Sequence, residues 1–150
     1  MKIERILAPT DLSELSRVGI GYALELARGW GAEVTVYHLA DAAELVNYKA
    51  HSLDDLIERH KIMVAQFLRE HFAELLPSVA VRQKVEVGEA ASGILAEAEK
   101  SGSDLIVMST HGRTGIAHIV MGSVTEQVVR GAKCPVFSVH PAPGSSKPAG

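Results

Sequence analysis

The stretch from Asp104 to His140, DLIVMSTHGRTGIAHIVMGSVTEQVVRGAKCPVFSVH, most constrains what this chain can fold into. It opens on Leu105-Ile106-Val107-Met108, apolar without alternation, the pattern of a strand covered on both faces. A polar loop punctuated by Gly112 and Gly115 follows, and glycine lets backbone N–H groups gather around an anion. The loop runs into Gly122-Ser123-Val124-Thr125-Glu126, where Ser123 and Glu126 have capping-box spacing. Strand, glycine loop and helix start together make a phosphate-binding arrangement, because the first N–H groups of a helix lack internal acceptors and carry partial positive charge. A phosphate is expected here.

Around this stretch, strands and helices alternate. Ile3 to Pro9 reads as a short buried strand, with Ile6-Leu7-Ala8 continuous and Pro9 stopping it. A helix follows Asp11, which with Glu14 has capping-box spacing; Leu12, Leu15, Val18, Tyr22, Leu26 and Trp30 recur at helical intervals as its apolar face. Val34 to Leu39 is the second strand, rich in β-branched residues. The segment from Asp41 to His51 carries no decisive pattern. From Leu53, the positions Leu56, Ile57, Met63, Val64, Phe67, Leu68, Phe72, Leu75 and Leu76 make a long amphipathic helix ended by Pro77. Val79, Val81, Val85 and Val87 alternate with charged residues, the signature of a half-exposed edge strand. Ser92 to Lys100 forms another helix, Ser123 to Arg130 the last, and Val136 to Val139 a closing strand. Helices between all successive strands imply a parallel sheet with right-handed crossovers, hence a doubly wound α/β fold whose first and fourth strands lie in the middle.

Composition sets the classes this chain excludes. Its 150 residues fit one domain, residues 1–140, with a Pro/Gly/Ser-rich tail, 141–150, expected to be disordered. Fifteen basic against eighteen acidic residues leave a net charge of −3 and no Lys/Arg cluster, so nucleic acid is not an expected partner. One cysteine, Cys134, fits a reducing compartment and reads as a small packed residue before Pro135. With no run approaching a membrane span and no leader pattern, a cytoplasmic location without membrane attachment is expected.

The motif residues resemble the universal stress protein family. Nucleotide-binding members carry glycine, two residues, glycine, nine residues, glycine, then Ser or Thr. Here Gly112, the nine residues Arg113 to Met121, and Gly122-Ser123 match, while Ser109 stands at the first glycine. The resemblance covers about Ile3 to His140 and implies a five-stranded, Rossmann-like parallel sheet in the order 3-2-1-4-5 with helices on both faces. In such a sheet the winding reverses between the first and fourth strands, and ligands bind outside their carboxyl ends. Those ends are Pro9-Thr10-Asp11 and Ser109-Thr110-His111-Gly112. The resemblance further implies ATP as ligand, with Mg2+ carried in on its phosphates. Pro9, Thr10, Asp11 and Leu39 would lie by adenine and ribose. Ser109, Gly112, Arg113, Gly122, Ser123, Val124 and Thr125 would line the phosphate side, with Arg113 as the cation, and Met108, Thr114 and Gly115 would also belong to the nucleotide site. It also implies a stress-response homodimer joined through the last strand, Pro135 to His140, whose edge groups need partners.

Each residue also has a plainer reading. Asp11 and Ser123 can serve as helix caps, and Arg113, Thr114 and Gly115 as solvated loop. The seven histidines form no set with metal-ligand spacing, and His60 and His71 are expected to flank the surface of the long helix. The chain lacks G-x-x-x-x-G-K-[ST] and G-x-S-x-G, so it has no P-loop lysine and no nucleophile elbow. The expected function is therefore to hold ATP rather than turn it over rapidly. The alternatives are a dimeric interaction module without nucleotide, and a slow ATPase in which Asp11 and His111 orient a water.

Overall fold

The computed structural model describes residues 1–47, 52–111 and 121–140. The expected tail and the loop positions Gly112, Arg113, Thr114 and Gly115 lie outside the described residues. The chain runs β1 (Arg5–Pro9), α1 (Glu14–Trp30), β2 (Glu33–Ala40), α2 (Glu44–Asn47), α3 (Leu53–Phe72), β3 (Ala80–Val87), α4 (Ala90–Ser101), β4 (Leu105–Ser109), α5 (Ser123–Gly131) and β5 (Val136–Val139), with a 3-10 turn at Leu76–Ser78. The strands form one parallel sheet in the order β3-β2-β1-β4-β5, as the resemblance implies.

The two uninterrupted apolar runs take the interior positions. Ile6, Leu7 and Ala8 of β1 and Ile106 and Val107 of β4 are at most 1% exposed, which requires helices on both faces. One face packs Val34 and Val36 of β2 against Ile20, Ala23 and Leu24 of α1 and Val64, Phe67 and Leu68 of α3. The other packs Leu7, Tyr37, Ile106 and Met108 against Ile94 and Ala98 of α4 and Val128 of α5. Each fully buried large aliphatic side chain contributes about 1.5–3 kcal/mol. At the amino ends, the Asp104 carboxylate accepts the backbone N–H groups of Glu4 and Arg5, both at 2.9 Å, joining β4 to β1. Those two bonds hold its carboxyl below the usual aspartate range.

Three sequence expectations are corrected. The capping residue of α1 is Ser13, whose hydroxyl accepts from the Ser16 N–H, whereas Asp11 accepts from the Ser13 N–H just ahead of the helix. The buried stripe of α1 is Ser16, Gly19, Ile20, Ala23, Leu24 and Ala27, while Tyr22 and Trp30 are 48% and 53% exposed. Small residues in the stripe let the helix axis approach the sheet, and the bulky aromatic side chains lie outside it. His60 is buried at 3% exposure against β2; only His71 lies partly at the surface, where it bonds Arg17. In the undecided segment, α2 forms a single helical turn, and residues 48–51 lie outside the described residues.

Candidate functional site

The winding reverses between β1 and β4, and a cleft of about 260 Å3 opens beyond their carboxyl ends. β1 delivers Pro9, Thr10 and Asp11 to it, β2 delivers Tyr37 and Leu39, and β4 delivers Met108, Ser109 and, just past its end, His111. The opening of α5 supplies Gly122, Ser123, Val124 and Thr125, and α4 supplies Ala90 and Ile94. Ten residues singled out from the sequence are thus brought together: Pro9, Thr10, Asp11, Leu39, Met108, Ser109, Gly122, Ser123, Val124 and Thr125. Four others, Gly112, Arg113, Thr114 and Gly115, lie outside the described residues.

Ser109, expected from the sequence to stand at a glycine position, turns its side chain to α1. Its hydroxyl donates to the Leu15 carbonyl at 2.6 Å and accepts the Gly19 N–H at 2.9 Å, tying the end of β4 to α1. The hydroxyl is therefore spent on the scaffold. This contact is possible because position 19 has no side chain: a Cβ there would sit 2.7 Å from the Ser109 nitrogen and 2.9 Å from the Met108 carbonyl carbon.

The start of α5 is held against β4 by backbone and by one hydroxyl. The Gly122 N–H donates to the Thr110 carbonyl at 2.6 Å, and the Thr125 hydroxyl, 3% exposed, donates to the Ser109 carbonyl at 2.9 Å. Gly122, not Ser123, occupies the cap position, in extended conformation and with no side-chain cap bond; this corrects the capping-box expectation. Ser123 is the first helical residue. Glu126 bonds Arg130 at 2.8 Å, one turn along the helix, instead of reaching back to the cap. The reason is geometric: a capping box needs the hydroxyl at the cap residue itself, and here the chain enters one residue earlier. The first intrahelical bond runs from the Glu126 N–H to the Gly122 carbonyl at 3.0 Å, so the N–H groups of residues 123–125 have no helical acceptor. Residues of this turn line the cleft, and their N–H groups bring partial positive charge to it.

The opposite wall is more apolar. Tyr37 and Leu39 lie on the same sheet face as Met108, and a Cβ at Gly93 of α4 would meet Leu39 at 2.5 Å, so α4 packs directly on them. Burial, with the nearby carboxylates of Glu86 and Glu97, pushes the Tyr37 phenol far above its usual range, and it remains a neutral hydroxyl. Next to the cleft, the Thr10 hydroxyl bonds the Ser16 hydroxyl at 2.8 Å and accepts the Leu12 N–H at 2.9 Å. Leu12 itself has φ of 63°, a left-handed conformation costing about 1–2 kcal/mol outside glycine. Such strain at the crevice persists because its surroundings over-determine it. Among the described residues the lining includes no Lys or Arg, so the positive potential these residues bring comes from backbone dipoles. Among the described residues no group of three or more His, Cys, Asp or Glu is placed to hold a metal.

Sequence reasoning leaves out Ser16, Tyr37, Ala90 and Ile94 as lining residues. Tyr37 is accessible by strand periodicity, since it stands two before Leu39 and shares its face. Ala90 and Ile94 reach the cleft through the crossover from the edge strand, which local patterning does not reveal.

Comparison with known proteins agrees with this architecture. A sequence model described as the universal stress protein family matches residues 2–140. Universal stress protein MJ0531 of Methanocaldococcus jannaschii is 32% identical over 145 residues, covering 91% of this chain and 81% of that protein. Among solved structures, MJ0577 superposes with a TM-score of 0.73 at 28% identity, over 94% of this chain and 98% of that one. A universal stress protein in complex with cAMP gives 0.68 at 20% identity, over 93% and 98%. A universal stress protein from Archaeoglobus fulgidus in complex with dAMP gives 0.57 at 20%, over 92% and 98%. No helix among the described residues is long and apolar enough to cross a membrane. By the extent of the family match and by its fold, this chain belongs to the universal stress protein family.

Proposed function

We propose that this protein binds an adenine nucleotide, ATP with Mg2+ carried on its phosphates, and serves as a cytoplasmic stress-response regulator that holds the nucleotide rather than turning it over rapidly. The observation that carries the reading is the start of α5: uncapped N–H groups on a turn that lines a cleft at the sheet's switch point. Small residues fit that role, since Gly122 and Ser123 leave the backbone approachable. The phosphates belong against Gly122, Ser123, Val124 and Thr125, and the base and ribose against Pro9, Thr10, Asp11, Leu39 and Met108. Gly112, Arg113, Thr114 and Gly115 complete the phosphate side in this proposal, with Arg113 as the cation. Structures of related fold hold cAMP and dAMP, which supports an adenine nucleotide as the class.

The test is direct. ATP with magnesium at about one hundred times its dissociation constant stabilises a folded protein by about 2.7 kcal/mol. For a chain of this size that raises the melting temperature by roughly 5–10 °C. No rise at millimolar nucleotide, and no adenine nucleotide in the supernatant of heat-denatured protein, would refute the proposal.

The same reading includes a homodimer through the last strand. β5 pairs with β4 along one edge, and Phe137 and Tyr22, 43% and 48% exposed, lie with ring centroids 6.1 Å apart beside it. An edge strand with exposed aromatic side chains is suited to pairing with a copy of itself. Sedimentation of the wild type is expected to give two chains per particle and of Phe137→Glu a single chain; a wild-type monomer at micromolar concentration contradicts the dimer.

A further inference from the structure

Behind the cleft lies a buried chain of polar groups that the nucleotide reading does not use. His38 of β2 and His60 of α3, each 3% exposed, stack with ring centroids 5.0 Å apart. His38 Nδ1 is 2.9 Å from the Thr10 carbonyl oxygen, His38 Nε2 is 2.8 Å from His60 Nδ1, and His60 Nε2 is 2.9 Å from a carboxylate oxygen of Glu44. The chain thus runs from a residue lining the cleft to the single turn of α2.

Counting protons along it leads to one conclusion. The Thr10 carbonyl only accepts, so His38 Nδ1 carries a hydrogen and a neutral His38 accepts at Nε2. His60 Nδ1 must then donate, and a neutral His60 presents a lone pair at Nε2. That lone pair would face the Glu44 carboxylate, which also only accepts. Reversing both tautomers repairs the Glu44 contact and moves the mismatch to the Thr10 carbonyl. Two imidazolium rings would set N–H against N–H between the histidines. All three bonds form together only when the chain holds one proton beyond two neutral rings.

When that proton leaves, the link that breaks is the one water can reach. The Glu44 side chain is 29% exposed, whereas Thr10 is 7% exposed. Among the described residues of α2 none is fully buried, and Val46 is 86% exposed. Among the described residues, the other charges on the elements packed around the pair are engaged or face solvent. Arg59 and Lys61, flanking His60 on α3, are exposed, and Lys61 pairs with Glu58. Arg17 of α1 is held by Glu14 and His71, and Asp11 accepts the Ser13 N–H. From β3, the buried Val85 stands opposite His38 in the sheet register and is apolar. Asp41, ahead of α2, accepts the Ala43 N–H.

We propose that the Thr10–His38–His60–Glu44 chain is a one-proton latch that docks α2 on the body of the protein and releases it as pH rises. The sign follows from linkage: the docked state holds more protons than the released state, so raising pH favours release. Histidine ordinarily changes charge between about pH 5 and pH 8, so the latch is tested across that range.

Hydrogen exchange of the 41–47 amides tests this in full-length protein without nucleotide, which makes the outcome independent of the proposed function. Rates are corrected for intrinsic pH dependence and compared at about pH 5.5 and about pH 8.5, on either side of that range. Wild-type protection is expected to fall about tenfold to a hundredfold at the higher pH, the loss of one charge-assisted hydrogen bond. Glu44→Gln supplies an amide that donates to a neutral ring, so its protection is expected to stay high and equal at both pH values. Glu44→Ala is expected to be poorly protected at both. Equal wild-type protection at the two pH values, a Glu44→Gln variant with the wild-type pH dependence, or full protection in Glu44→Ala would each overturn the latch.

Discussion

Replacing Gly19 with alanine is expected to destabilise the protein by about 2–3 kcal/mol, although the same change on an exposed helix normally stabilises by roughly 0.5–1 kcal/mol. The added Cβ would lie 2.7 Å from the Ser109 nitrogen and 2.9 Å from the Met108 carbonyl carbon, and neither is the end of a flexible side chain. Relief requires moving α1 off β4, which stretches the 2.9 Å bond from the Gly19 N–H to the Ser109 hydroxyl. Gly29 lies on the same helix, and a Cβ added there would meet nothing within 4 Å. Gly29→Ala is therefore expected to stabilise by about 0.5–1 kcal/mol. Opposite signs in paired urea melts support the close approach of α1 to β4; a Gly19→Ala protein as stable as wild type refutes it.

That helix also shows where local pattern and tertiary structure part. The strands are legible because burial leaves a direct mark: Leu105 to Met108 is apolar throughout and interior, and the alternating 79–87 run lies at the edge. In α1 the aromatic residues Tyr22 and Trp30 suggest the wrong stripe, since the buried one sets Ser16, Gly19, Ala23 and Ala27 beside Ile20 and Leu24. His60 reads as a surface residue in the sequence because its partner lies 22 positions away, on β2. The cleft is half legible. Residues at strand ends follow from the switch-point rule, whereas Ala90 and Ile94 arrive on a helix whose placement depends on the crossover. The caps differ by one or two residues, as boundaries do when several hydroxyls and carboxylates compete for the same N–H groups.

Gly122→Val is the substitution expected to act most strongly on the cleft. A Cβ at this position would be 3.1 Å from the Thr110 carbonyl oxygen, and a branched side chain adds two methyl groups where the chain turns into α5. The core packed by Val128 lies further along the helix and is expected to survive, so the variant should fold with unchanged far-ultraviolet dichroism. Its affinity for ATP with magnesium is expected to fall tenfold to a hundredfold, on the order of 1.4–2.8 kcal/mol. A folded variant with wild-type affinity would place the phosphates elsewhere.

The most direct measurement is an amide titration of the wild type and Gly122→Val with ATP and magnesium. The expected result is that the backbone resonances of Ser123, Val124 and Thr125 move on addition of nucleotide in the wild type, and move in the variant only at much higher concentration. Resonances of this turn that stay fixed while nucleotide binds elsewhere, or that stay fixed because none binds, would contradict a phosphate site at the start of α5.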